Sequence, residues 1–360
     1  MTRRVFLAVI AFLALFALPA GAQDARMPQI PFLEAWRASP HANVHSESFI
    51  HWDKDGAVPV QCAACHSGPG YLDFLGADGS APGKVDKPAP VRSVVDCVTC
   101  HDPKAAALAS VLFPSGRRAE GMGTSTRCMV CHQGRQAGAD VERSLAGLAV
   151  DGVNDKLRFI NIHYAHAGAT LLGTLVQGGY EYPGKIYHGR FAHTRGFDTC
   201  AGCHDPHTTK VRETGCGTCH TEGKLAAIRE SVVDHDGNGN TREGIAAEIA
   251  SLHAALGRAI GAYARGVAGV AIVYAKDTHP YFFADRDGDG VASPAEAVRN
   301  NAYQSWTPRL LRAAYNFQVV AKDAGAYAHN PVYALQILYD SLEDLSARVP
   351  TTIAAMTRPR

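Results

Sequence analysis

A mainly α-helical fold with extensive loops, closed by a C-terminal helical unit, is what three features of this 360-residue chain predict. From residue 23 to about 225, glycine, proline and aspartate are frequent and long periodic apolar segments are scarce. Short helices separated by loops are expected there. Within that stretch one five-residue word occurs five times. From about residue 226, apolar residues settle into steps of three and four, the period of amphipathic helices.

The repeated word is Cys-x-x-Cys-His. It uses Cys62, Cys65 and His66; Cys97, Cys100 and His101; Cys128, Cys131 and His132; Cys200, Cys203 and His204; and Cys216, Cys219 and His220. All ten cysteines belong to it. Two thiols three residues apart add to the two vinyl groups of a porphyrin, and the next residue sets an imidazole under the iron. A zinc ribbon needs no histidine fixed after each pair. A redox Cys-x-x-Cys is expected once, and five vicinal disulfides would leave the five histidines unexplained. Five covalent haem c groups are therefore expected. The fold expectation becomes a multihaem cytochrome c core wrapped by short helices over residues 23–225, with a helical domain over 226–360.

The N-terminal segment has Arg3 and Arg4, an apolar run from Val5 to Leu18, and Ala20-Gly21-Ala22. That is the layout of a signal peptide over residues 1–22, so an exported protein, periplasmic or extracellular, is expected. No later stretch is long and apolar enough for a transmembrane span, since Asp340, Glu343 and Asp344 interrupt the last apolar segment. Without the leader and its two arginines the formal charge of +1 turns just negative, and haem propionates add acid. With no basic stripe or recognition motif, no nucleic-acid partner is expected.

Along the chain, residues 77–90 form a loop by composition. Motifs beginning at Cys200 and Cys216 are close enough that their haems are neighbours. The stretch 133–199 holds four histidines and no motif, which makes it a source of ligands for haems attached elsewhere. Ile245, Ile249, Leu252, Leu256, Ile260 and Tyr263 predict one amphipathic helix. Arg309 to Val320 reads as a second, and Leu335, Leu338, Leu342, Leu345 and Val349 as a third. These stripes are packing faces.

Haem chemistry turns on the ligand opposite the motif histidine. Methionine is scarce, whereas twelve of the seventeen histidines lie outside the motifs. That surplus favours iron held by two histidines, a six-coordinate arrangement suited to passing electrons. With these motifs the chain resembles bacterial multihaem c-type cytochromes, the broad superfamily of pentahaem nitrite reductase and octahaem tetrathionate reductase. Trp36-Arg37-Ala38-Ser39-Pro40-His41-Ala42 resembles a segment whose histidine is a distal ligand. Phe-x-His ahead of a motif, at His51 and His193, resembles another, as do His207 in Cys-His-Asp-Pro-His and His329 in His-Asn-Pro. The resemblance thus implies distal roles for His41, His51, His193, His207 and His329. His163 stands nearly level with them, giving six candidates for five irons. His235, in a turn, and His253, on a helix, are assigned structural roles. One departure is plain: the catalytic relatives carry a lysine-ligated haem, and in the nitrite reductase a Cys-x-x-Cys-Lys motif, whereas every motif here ends in histidine.

Two acidic loops lie in the C-terminal third. Asp285, Asp287 and Asp289, with Gly290 and a late Glu296, match an EF-hand-like calcium loop, although Ala292 and Pro294 depart from it. Asp234-His235-Asp236-Gly237 begins alike but has Ile245 where the glutamate belongs, leaving Glu243 or Glu248 as substitutes. One or two Ca2+ ions are expected, fixing the helical unit. The function expected is an exported pentahaem cytochrome that relays single electrons between redox partner proteins. Rival classes are a reductase of a small nitrogen or sulfur oxyanion at one open-coordinate haem, and a subunit of a larger multihaem complex or filament.

Overall fold

The computed structural model describes residues 29–360; the expected leader, residues 1–22, lies outside them. The described chain is mainly helical, with three two-stranded antiparallel sheets as its only sheets and long loops between elements. They pair Ala57–Val58 with Ala89–Pro90, Ser110–Leu112 with Arg118–Glu120, and Ile272–Tyr274 with Phe282–Ala284.

Up to residue 225 the helices are short. Val60–His66 and Cys97–His101 carry whole motifs, while Thr126–Met129, Cys200–Cys203 and Glu213–Cys216 carry the starts of the other three. Asp96 and Thr99 form a capping box that starts the second, and Thr199 accepts from the Gly202 amide to start the fourth. Helices this short are not stable by themselves. Small apolar clusters hold them, one built on Tyr71, Val111, Phe113, Met129 and Leu172, another on Val58, Ala63 and Ala89.

Three long helices dominate the rest: α1 (Ile245–Gly266), α2 (Pro308–Ala321) and α3 (Pro331–Ser346). The stripe Ile249, Leu252, Leu256, Ile260 and Tyr263 is the buried face of α1. Thr307 and Asn330 cap α2 and α3 through their side chains, each followed by proline at the first helical position. Each fully buried leucine among Leu310, Leu338 and Leu345 contributes about 2 kcal/mol by leaving water.

This core reaches back across residue 225. Val141, Leu145, Leu157, Ile162, Tyr180, Tyr182 and Tyr187 belong to it. The Asn316 amide bridges the Tyr180 backbone, accepting at 2.7 Å and donating at 2.9 Å, while the Tyr315 hydroxyl donates to the Gly178 carbonyl. A Cβ on Gly138 would lie 2.4 Å from the Gly179 carbonyl, so that crossing admits only glycine. Segment 138–187 is thus bolted to the long helices and carries His163 and His166 between the two regions.

Candidate functional site

All ten motif cysteines are free thiols. The motif segments converge. Cys65 Sγ donates to the Val130 carbonyl at 3.4 Å and Cys131 Sγ to the Ala64 carbonyl at 3.7 Å, which sets the first and third motifs side by side. Arg127 donates to the Cys100 carbonyl at 2.6 Å, and Ser125 accepts from the Cys200 amide at 3.1 Å. The third segment therefore touches the first, second and fourth. Burial raises the Cys62, Cys100 and Cys203 pKa values and keeps these groups as thiols.

Each motif histidine faces a second histidine. Ring centres stand 5.8 Å apart for His66 and His163, 6.2 Å for His101 and His207, and 6.4 Å for His132 and His41. They are 6.4 Å apart for His204 and His329 and 6.2 Å for His220 and His193. Two imidazoles trans across one metal, each bonded at about 2 Å, hold their ring centres roughly 6 Å apart. Of the six candidates named from sequence, five take part. The sixth, His51, packs edge-on to Trp52 at 4.7 Å and contacts Glu47 at 2.7 Å on the surface.

Hydrogen bonds orient three of the five motif rings. Nδ1 of His66 meets the Ser48 carbonyl at 2.8 Å, that of His132 the Ala165 carbonyl at 2.8 Å, and that of His204 the Thr209 carbonyl at 3.1 Å. An Nδ1–H given to a carbonyl leaves Nε2 as the free lone pair, the tautomer a metal needs. Electrostatics agree at His41, His66 and His163. Burial, then the facing His132, lowers His41. Burial lowers His66, and with the facing His66 brings His163 down to about 4. Neutral imidazole is the ligand form.

The facing histidines come from separate elements. His41 lies in the turn Pro40–Ala42, fixed where the Val95 amide donates to its carbonyl. His163 has left-handed backbone (φ 84°), a strained state for a residue with a Cβ. Asn161 accepts from its amide at 3.0 Å and from Lys322 Nζ at 3.0 Å, and Lys322 also caps the rings of Tyr164 and Tyr281. His207 sits in a turn whose amides donate to Asp205, with its ring stacked on Phe32 at 4.4 Å. His329 ends the helix Ala326–His329 just ahead of α3. The two histidines assigned structural roles face no motif: His235 bridges Ser231 and the Thr357 carbonyl, and His253 reaches the Phe317 carbonyl at 2.9 Å.

In the acidic loops, Asp285, Asp287 and Asp289 gather ligand atoms within 4.8 Å of one another, as do Asp234, Asp236 and Glu248. Glu296 lies beside the first group and accepts from the amides of Arg286 and Ser293 at 2.7 and 3.1 Å. In the second loop Glu248, not Glu243, meets the aspartates; Glu243 accepts from Asn238 at 2.6 Å.

The chain is 30% identical to the C-type polyheme cytochrome OmcB of Geobacter sulfurreducens, in two strains, over 61% of its length and 30% of the relative's. It is 27% identical to OmcC of the same organism over 81% of its length and 43% of the relative's. The chain is similar to multihaem c-type cytochromes. It spans less than half the length of these curated relatives. No family model matches the sequence, and no solved structure matches it. A haem c environment fits the residues present: free thiol pairs followed by oriented imidazoles, each with a second imidazole opposite. Among the described residues no helix is long and apolar enough to cross a membrane.

Sequence reasoning missed Asp323, whose carboxylate meets His329. No motif announces it. The carbonyls of Ser48, Ala165 and Thr209 were equally invisible, because any residue supplies a carbonyl.

Proposed function

We propose that the chain holds five haem c groups, each with two axial histidines, and relays single electrons between redox partner proteins outside the cytoplasm. The facing of every motif histidine by a second histidine, at ring-centre distances of 5.8 to 6.4 Å, carries this reading. The axial pairs are His66 with His163, His101 with His207, His132 with His41, His204 with His329, and His220 with His193. His51 is then a surface histidine. Haem supplies a one-electron Fe(III)/Fe(II) couple.

The chain's own residues anchor, orient and insulate. Each cysteine pair would hold its porphyrin through two thioether bonds, and the carbonyls of Ser48, Ala165 and Thr209 fix the rotation and tautomer of His66, His132 and His204. Two imidazoles per iron leave no coordination position for a substrate, which weighs against reduction of an oxyanion at an open haem. Asp285, Asp287, Asp289 and Glu296, and separately Asp234, Asp236 and Glu248, each hold one Ca2+ that secures the loops to the long helices. Assembly into a larger multihaem complex remains the second reading of the same haem-binding role.

The test is mass and spin state of the holoprotein matured with its haems. Five haem masses, low-spin electron paramagnetic resonance signals alone, and a Soret band unmoved by nitrite, hydroxylamine or cyanide are expected. A high-spin signal that shifts with those ligands would transfer the assignment to a reductase.

A further inference from the structure

Resting on that two-histidine reading, we propose that Asp323 is a positioning residue that gives the haem attached at Cys200 and Cys203 the lowest potential of the five. It acts through His329. Nδ1 of that ring lies 2.8 and 3.0 Å from the two Asp323 carboxylate oxygens. Asp323 is buried and is held in place by the Gly325 amide, which donates to it at 3.1 Å. Among the described residues no lysine or arginine pairs with it; His329 is its ionic partner. The turn also closes on the ring, since a Cβ on Gly325 would stand 2.6 Å from His329 Cε1.

The other axial candidates differ. His66, His132 and His204 give Nδ1 to neutral backbone carbonyls. His220 comes no closer than 3.6 Å to Glu230, whose carboxylate is exposed and screened. Among the described residues, only at His329 does a buried formal charge take the ring proton. A charge-assisted hydrogen bond draws that proton away and makes the imidazole a stronger donor. A stronger donor, with a fixed negative charge nearby in a medium of low dielectric, favours ferric over ferrous iron. That haem therefore releases its electron first and regains it last.

Stepwise oxidation of the fully reduced holoprotein, followed through haem methyl resonances by NMR, reads the order in the unmodified chain. The haem on Cys200 and Cys203 is expected to oxidise first; another haem oxidising first would overturn the proposal. Asp323→Asn keeps an acceptor for Nδ1 but removes the charge. It is expected to weaken the ferric preference of this haem about tenfold, which raises the lowest midpoint by about 59 mV and leaves the other four in place. A lowest midpoint that does not move would also overturn it. Fewer than five haem masses, or a high-spin signal in the unmodified protein, would instead sink the axial assignment itself, and this inference with it.

Discussion

The helix Cys200–Cys203 and helix α2 show two ways of holding a polypeptide in place. The first buries none of its residues, and neither does the next motif helix, Glu213–Cys216. Helix α2 buries Leu310, Leu311, Ala313, Ala314, Tyr315 and Val319 among others, in a core shared with α1 and α3. One region is organised by the hydrophobic effect between side chains. The other has only the small clusters around Tyr71 and Val58; on the reading proposed above haem would complete its core, with the facing histidines coming from separate elements. Burial density thus differs sharply between these motif helices and the helices that pack on one another.

The largest effect expected breaks the comparison most directly. A chain produced where haem attachment does not occur should keep slow amide exchange in α1 and α2, with protection of about a thousandfold or more, while motif segments 60–66 and 200–220 exchange freely. Equal protection in both regions would mean the motif region has a sufficient core of its own. Next in size, Leu338→Ala removes a fully buried side chain from α3. It should cost about 2–5 kcal/mol in denaturant unfolding and leave the low-spin spectrum unchanged. A changed spectrum would show the helical core setting haem ligation rather than merely abutting it.

The same contrast explains what was legible in the sequence. Periodicity revealed α1, α2 and α3, because side-chain packing writes itself into spacing: the stripe from Ile249 to Tyr263 is the buried face. The motifs named ten cysteines and five histidines outright. Facing histidines were harder: local resemblance placed His51 among the five and left His163 just behind, and the ring geometry reverses that order. The boundary near residue 225 reflects composition, yet Tyr180 and Tyr182 pack with the long helices. Backbone carbonyls and the carboxylate of Asp323 left no sequence signal at all.

Calcium sharpens the comparison on the helical side. Glu248 lies on α1, so an ion shared with Asp234 and Asp236 would staple the preceding loop to that helix. With free calcium at a hundredfold over its dissociation constant, one site adds about 2.7 kcal/mol. Chelation should lower the unfolding temperature of the helical transition and leave the haem spectrum in place. Calcium-independent unfolding would remove the ion from both loops.

The smallest effect is one of pH, and it too should fall on one region. Asp151 accepts from Tyr263 Oη and from Arg309 Nε, both at 2.7 Å, tying α1 and α2 to the segment before them. Burial alone would raise its carboxyl, but Arg309 and Tyr263 outweigh that and hold it below the usual value. A carboxylate depressed in the folded state binds fewer protons there than in the unfolded chain. Its contribution is therefore complete above the unfolded value of about 3.9, and is lost as pH falls through the folded one. Asp151→Asn should cost about 1 to 2 kcal/mol at pH 7, with partial solvent screening included. The difference from the parent should then shrink as the pH drops below about 4. A gap that stays constant into acid would show that shape rather than charge at Asp151 holds the helices, leaving Arg309 anchored by Asp344 alone.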